Sequence, residues 1–240
     1  MHLMWRLPPL VAFLLIMFNF SAMTFWPVYF GLIAGFFWVD TCGHRYAGHL
    51  DLNPSLITHH ILWFIASCWQ VGCPLTWRVQ HMRHHKFSGK EGDPHNAEEL
   101  DWRVCFIAPF RLDVRSDAHY LKPMLKDKLK WNFWSTYKYY FTVLCPIVLF
   151  LLFGMSAVLY LWAVPIIAVH LYQSVLSVYI SHKFGYKHYD NDATNCLMFW
   201  PLLFGSVYHN NHHKRAKGNQ AHKWYEFDPA YYIYKLINKL

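Results

Sequence analysis

Two stretches of this 240-residue chain carry no charge: no Asp, Glu, Lys or Arg occurs from Leu7 to Val39 or from Tyr139 to His182. A water-exposed helix needs a polar face, so windows of 33 and 44 uncharged residues exclude an ordinary soluble fold and read as membrane segments. Acidic residues are also scarce, 14 against 22 Lys and Arg, giving a formal charge of +8. That excess does not point to nucleic acid, because it lies beside apolar tracts rather than on a soluble amphipathic scaffold. The six cysteines (Cys42, Cys68, Cys73, Cys105, Cys145, Cys196) lack metal-type pairing and read as free thiols in a reducing compartment. The sequence shows no internal repeat, low-complexity tract or fused soluble domain. No small-x-small cleavage site follows the apolar N-terminal stretch, which disfavours a signal peptide.

What is present in excess is hydrophobic side chain, 55% of residues, with 20% aromatic. The second window is long enough for two membrane-crossing helices of about 20 residues, with a turn at Gly154-Met155-Ser156. The first must hold two shorter ones, about Pro9 to Phe20 and Phe25 to Thr41. All Lys and Arg then lie on one face, which the positive-inside rule makes cytoplasmic: that of the inner membrane in a bacterium, of the endoplasmic reticulum in a eukaryote. A third apolar stretch, Ser55 to Val71, sits at the lower limit for a span. Crossing there would separate the histidine clusters on either side of it, so it reads as an interfacial helix. The expected fold is a single all-α membrane domain over residues 1–240, with four transmembrane helices in two hairpins. The hairpins cover 7–41 and 139–182 and the interfacial helix 55–71. A cytosolic, histidine-rich helical cap takes 78–138 and, with an amphipathic tail, 183–240.

Histidine is the informative residue, with 17 copies. His44 and His49 form H-x-x-x-x-H; His81, His84, His85 and His209, His212, His213 each form H-x-x-H-H. Positions i, i+3 and i+4 share a helix face, so each H-x-x-H-H is expected to present three imidazoles to one point. A pair at i, i+5 is splayed on an α-helix, so His44 and His49 are expected to converge by local unwinding at Gly43 and Gly48. Eight imidazoles exceed the four ligands of a typical zinc site and point to two adjacent metals. Imidazole suits zinc, copper, iron and nickel, so spacing leaves the metal open, while an all-nitrogen set with few carboxylates argues against magnesium and calcium.

His182 follows the last span and emerges where the clusters gather, making it a ninth candidate ligand. His170 lies roughly 18 Å deeper along the helix and reads as a structural or substrate-channel residue. His2, His119, His188 and His222 read as surface residues; His59, His60 and His95 are left open. Asp40, one turn before His44, is placed to accept that ring's second N–H.

These residues resemble the membrane fatty-acyl desaturases, in particular the stearoyl-CoA type that makes the first double bond. The likeness runs from about Gly35 to Pro229. Besides the three boxes it includes His84-His85-Lys86-Phe87-Ser88, Asp93-Pro94-His95-Asn96, Phe184 to Asp190, Trp77, Trp224 to Pro229, Arg45 after the first histidine, and Asn210 after His209. It implies a di-iron centre on nine histidines, His182 being the ninth, and four spans under a cytosolic cap. A bent tunnel would hold the acyl chain, dioxygen would be the oxidant, and a ferredoxin or a b-type cytochrome with its reductase would supply electrons. The acyl chain could be carried on coenzyme A, carrier protein or lipid. The family often has Asn, bridging to a metal through water, where Val178 stands here; Ser181 is one group that could replace that link. Gly205 to Tyr208 also departs from the family pattern. Asp40, Trp77, Asp93, His95, His170 and Ser181 are thus candidates for supporting the metals or the substrate. The rivals are a di-iron lipid hydroxylase and a membrane metal transporter. The hydroxylase is disfavoured by the first-box spacing, the transporter because only His170 lies inside an expected span.

Overall fold

The computed structural model describes residues 2–96, 114–125 and 127–240. Every regular element among them is helical, apart from isolated bridges from Asn195 to Tyr186 and Tyr208. The principal helices are α1 (His2–Asn19), α2 (Phe25–Gly48), α3 (Leu56–Cys68), α4 (Pro74–Phe87), α5 (Lys128–Phe153), α6 (Met155–Lys183), α7 (His209–Lys214) and α8 (Pro229–Ile237). Three apolar spans, Phe25–Gly48, Lys130–Phe153 and Met155–Lys183, are long and apolar enough to cross a membrane. The apolar stretch Arg6–Ala22, made of α1 and the tight 3-10 turn Phe20–Ala22 after it, falls short of that length.

Several expected boundaries shift. α1 begins at His2 rather than Pro9 and runs through Pro8 and Pro9; proline removes a backbone donor, so it costs this helix rungs near one end without ending it. α5 begins well before Tyr139, because Lys130 and Lys138 do not break a helix and Trp131 and Trp134 bury its first turns. The turn after α5 is Gly154 alone, at φ +77°, a conformation glycine adopts without steric cost.

Glycine also sets the packing of α2 on α6. A Cβ at Gly35 would lie 2.6 Å from the Pro165 carbonyl oxygen and 2.7 Å from Ala168 Cβ. α1 lays Ala12 against Val158, Trp162, Ala163 and Ile166 of α6. α5 keeps only 11% of its apolar window buried, as an outer helix facing lipid does.

α3 is tied to α5 by side chains. His59 donates Nε2–H to the Lys130 carbonyl at 3.0 Å and accepts the Tyr46 hydroxyl at Nδ1, 2.8 Å. His60 Nδ1 accepts from the Trp134 indole at 3.1 Å, and Thr142 donates to the Ser67 carbonyl. Both histidines left open by sequence on α3 are therefore structural. Burial holds His59 neutral, its pKa pushed down to about 3. The main core gathers Phe36, Tyr46, Trp63, Trp131, Trp134 and, from α8, Tyr234 beneath the histidines. α8 is started by Asp228, whose side chain accepts the Tyr231 N–H.

Candidate metal centre

The last ten residues of α2, Val39–Gly48, are wound as a π-helix. Its i to i+5 hydrogen bonds stack residues five apart, and the backbone bond from His49 N to the His44 carbonyl, 3.1 Å, is one of them. The H-x-x-x-x-H pair therefore converges through a widened helix, not an unwound one. Gly43 and Gly48 serve close approach instead: a Cβ at Gly43 would lie 2.6 Å from the Trp77 ring, and one at Gly48 2.9 Å from the His81 ring. Trp77 is anchored there by its indole N–H on the Val71 carbonyl at 2.6 Å.

All nine histidines come together, but in two groups. His44, His49, His81, His85 and His212 form one; His84, His182, His209 and His213 form the other, with the ligand atoms of each group within 4.8 Å of one another. The expectation that each H-x-x-H-H box serves one point is thus corrected. α4 sends His81 and His85 to the first group and His84 to the second; α7 sends His212 to the first and His209 and His213 to the second. Residues i and i+4 are closer in angle than i and i+3, and the separated ring bridges to the neighbouring group.

Outer hydrogen bonds decide which nitrogens face inward. His44 donates Nδ1–H to Asp40 at 2.6 Å, His84 to Asp93 at 2.8 Å and His182 to Asp192 at 3.0 Å. His213 donates Nδ1–H to Ser88 Oγ at 3.2 Å, which itself donates to Asp192 at 2.7 Å. In a neutral ring the other nitrogen, Nε2, is then a bare lone pair. Yet His84 Nε2 and His213 Nε2 lie 3.3 Å apart, and His212 Nε2 sits 2.9 to 3.0 Å from the Nε2 atoms of His44, His49 and His85. No placement of hydrogens turns all of these contacts into hydrogen bonds. Converging lone pairs repel unless a cation lies between them, so this donor set fits two metal ions of the kind imidazole prefers.

Electrostatics agree with that fit. Burial, reinforced by neighbouring imidazoles, pushes His49, His81, His85, His209, His212 and His213 well below the usual histidine range, keeping them in the neutral, ligating form. Burial opposes the charges of Asp93 and Asp192, but hydrogen bonds from His84 to the first, and from His182 and Ser88 to the second, outweigh it and hold both carboxyls below the usual range.

The remaining candidates separate cleanly. Asp40 accepts three side-chain bonds, from His44, from the Tyr172 hydroxyl at 2.6 Å and from the Tyr234 hydroxyl at 2.5 Å. His95 belongs to neither group. It lines a small cavity of about 30 Å³ with Trp77, Val178, His84 and His209, and burial, then His84, lowers its pKa to about 3. Ser181 donates to the Leu176 and Ser177 carbonyls of its own helix. His170 is half-buried and lines an apolar cavity of about 500 Å³ between α1 and α6. His188 and His222 are not free surface groups: His188 bonds Glu226 at 2.9 Å and His222 bonds Tyr189 at 2.8 Å. Of the cysteines, five are free thiols and Cys105 lies outside the described residues.

Sequence reasoning missed Asp192, Tyr172 and Tyr234. Asp192 sits in a loop that returns beneath α7 because the Asn210 side chain clamps it, accepting from His188 and Tyr189 N–H and donating to the Tyr189 and Ala193 carbonyls. A buried Asn210 next to His209 was the only local signal.

Comparison with known proteins agrees. A family model described as Fatty acid desaturase matches residues 23–236. The chain is 28% identical over 204 residues to an sn-1 stearoyl-lipid 9-desaturase of Anabaena variabilis, covering 77% of this chain and 73% of that protein. It is also 28% identical over 206 residues to an sn-1 stearoyl-lipid 9-desaturase of Synechocystis sp., covering 82% of this chain and 63% of the other. An icosanoyl-CoA 5-desaturase of Limnanthes douglasii is 23% identical over 235 residues, covering 93% of this chain and 65% of the other. The chain spans less than two thirds of the last two. With nine inward-facing imidazoles under apolar helices and a family match over most of its length, the chain belongs to the fatty acid desaturase family, oxidoreductases that act on fatty acids.

Proposed function

We propose that the nine histidines, His44, His49, His81, His84, His85, His182, His209, His212 and His213, hold two iron ions, and that the protein inserts a cis double bond into a saturated acyl chain. The observation that carries this reading is the pair of lone-pair clusters, five imidazoles beside four, in a protein of this family. When bound, the iron pair supplies oxidising power: with dioxygen, two electrons and two protons, two hydrogens leave adjacent methylenes and two waters form.

The chain's own residues do the rest. Asp40, Asp93 and Asp192 orient the rings through their Nδ1–H groups and raise ligand basicity. Trp77 and Val178 give the cavity beside the histidines apolar walls that exclude bulk water. The larger cavity is walled by Pro9, Leu10, Phe13, Ile167 and Leu171, with Arg6 and His170 as its polar members, and its volume suits a hydrocarbon chain. Its His170 wall is about three turns or fewer along α6 from His182, within reach of the far end of a long acyl chain. The separation is below the roughly 18 Å of an α-helix, because Tyr172–Ile180 is wound as a π-helix. The two stearoyl-lipid relatives favour a lipid-linked substrate over a coenzyme A or carrier-protein thioester. Electrons would come from a separate ferredoxin or a b-type cytochrome with its reductase, docking on the basic cap. The positive-inside rule puts that cap on the cytoplasmic face, with α1 as a fourth span.

Expression in a host with saturated membranes, followed by fatty-acid analysis, tests the proposal. New monounsaturated chains from the intact protein and none from His84→Ala are expected. Hydroxylated products instead would make it a hydroxylase, and no new species would overturn the assignment.

A further inference from the structure

Behind the five-histidine group, between the π-wound end of α2, α7 and α8, lies a cavity of about 10 Å³ walled by Asp40, Arg45, His212, Gln220, Asp228 and Tyr234. Most of its lining residues are polar, although more of the surface they turn to it is apolar than polar, and several polar atoms of those residues have no partner among the described residues. Arg45 Nε and Nη1, His212 Nδ1 and Gln220 Oε1 are all buried and unpaired. Their residues are 2%, 2% and 3% exposed. Arg45 uses only Nη2, on the Gly218 carbonyl at 2.5 Å and Asp51 at 3.2 Å, and its face lies over the Tyr234 ring. A ring face attracts the guanidinium charge but leaves its in-plane N–H groups unbonded. Buried polar groups in folded proteins are bonded to protein or to water with few exceptions, so several orphans on one cavity call for a common partner.

We infer that this cavity binds one ordered water molecule that joins the metal-side ring of His212 to Arg45 and Gln220. The wall offers N–H donors from Arg45 and His212, and an acceptor in Gln220 Oε1. A water molecule can accept two hydrogen bonds and donate two, so it can take one N–H from each donor, give one hydrogen to Gln220 and turn the other to a carboxylate of the wall. The volume is at the lower limit for holding one water. A cation is excluded by the inward N–H groups. Chloride is excluded by size and by Asp40 and Asp228 on the same wall.

The site has a consequence for the histidines. Of the nine, His212 is the one whose ring has a nitrogen both buried and unpaired among the described residues. The rings of His44, His84 and His182 are fixed by carboxylates; that of His212, which touches three other rings of its group, would be fixed by the water. Gln220 and Arg45 then act as positioning residues, and this part of the inference rests on reading the nine histidines as metal ligands, whereas the water itself does not.

A high-resolution structure of the full chain in lipid nanodiscs should show one density peak within hydrogen-bonding distance of Arg45, His212 Nδ1 and Gln220 Oε1. No peak there overturns the proposal, and so does an anomalous bromide signal in crystals grown with bromide. Gln220→Leu removes the acceptor at similar volume, whereas Gln220→Glu keeps it. In chelator challenge of the metal-loaded protein, Gln220→Leu is expected to release one of the two metals 10- to 100-fold faster, leave the other unchanged, and be rescued by Gln220→Glu. Equal release in all three proteins overturns the positioning role. If the unmodified protein binds no metal while the water peak is present, the metal reading fails and the water site stands.

Discussion

The two histidine groups differ in number and in backing. The first has five imidazoles, from α2 and the residue that caps it, α4 and α7, and among the described residues a single carboxylate, Asp40, bonded to one of them. The second has four from α4, α6 and α7, with His84 held by Asp93, His182 by Asp192, and His213 reaching Asp192 through Ser88. The first group is rich in ligands and poor in negative charge nearby; the second is the reverse. In desolvated surroundings a cation can be compensated by more neutral donors or by anions one bond further out, and under the proposed metal assignment the two groups would use these two solutions side by side.

The largest effect that tests the contrast is loss of a ligand. Removing a ring from either group is expected to lower double-bond formation by at least about 100-fold, read as unsaturated product per chain. The groups should differ in metal retention: His85→Ala leaves four imidazoles and keeps more metal than His209→Ala, which leaves three. Equal losses would break the comparison.

Next are the outer carboxylates. Asp192→Asn is expected to weaken metal retention about 10- to 100-fold and to do so at the second group only, because Asp192 supports His182 and His213 there. Asp40→Asn should act on the first group, and metal analysis after dialysis against a chelator separates the two.

A smaller effect comes with acid. His59, and in the metal-free protein His49, His81, His85, His209, His212 and His213, have folded pKa values below the unfolded value of about 6.5. Below that value the unfolded chain takes up protons that the folded chain refuses. Stability is then present above pH 6.5 and lost as pH falls through it, by about 1.4 kcal/mol per pH unit for each histidine still held neutral. Bound metal should move the loss to lower pH, which thermal melts from pH 7.5 to 5 would show.

The smallest effect is expected at Ser181. Among the described residues its hydroxyl bonds only to carbonyls within α6, so Ser181→Ala should cost about 1 kcal/mol or less and leave turnover unchanged. A large loss of turnover would place Ser181 at the second group after all.

How far the centre could be read in the sequence follows from how local each cause is. The nine histidines were legible because an apolar tract and an i, i+3, i+4 pattern both act over a few residues, and His182 because a helix end places it. The allotment of rings to groups was not, since it depends on how α4 and α7 face each other. Asp192 and Tyr234 were hidden for the same reason: Tyr234 reaches Asp40 across 194 positions of sequence. Asp40 itself was readable, one turn from His44 on the same helix. In the fold, charge marked the apolar windows but misplaced helix ends, because helices continue through lysines and prolines that a charge map treats as borders.

The π-wound end of α2 fixes a phase. Against an α-helix it contains one residue too many, and the surplus is absorbed within Val39–Gly48, so the apolar face of Phe25–Trp38 and the ring of His49 each keep the bearing they need. Deleting Ala47 would leave His44 and the new i+4 histidine on a shared α-helical face, and by the old measure of box spacing the pair would look intact. Everything beyond it would also keep its bearing relative to α6, because the residue removed is the surplus one that the wide turns absorb. The same deletion without that change of winding would turn it by about 100°. The length of the first box is therefore a setting of rotation as much as a choice of ligands.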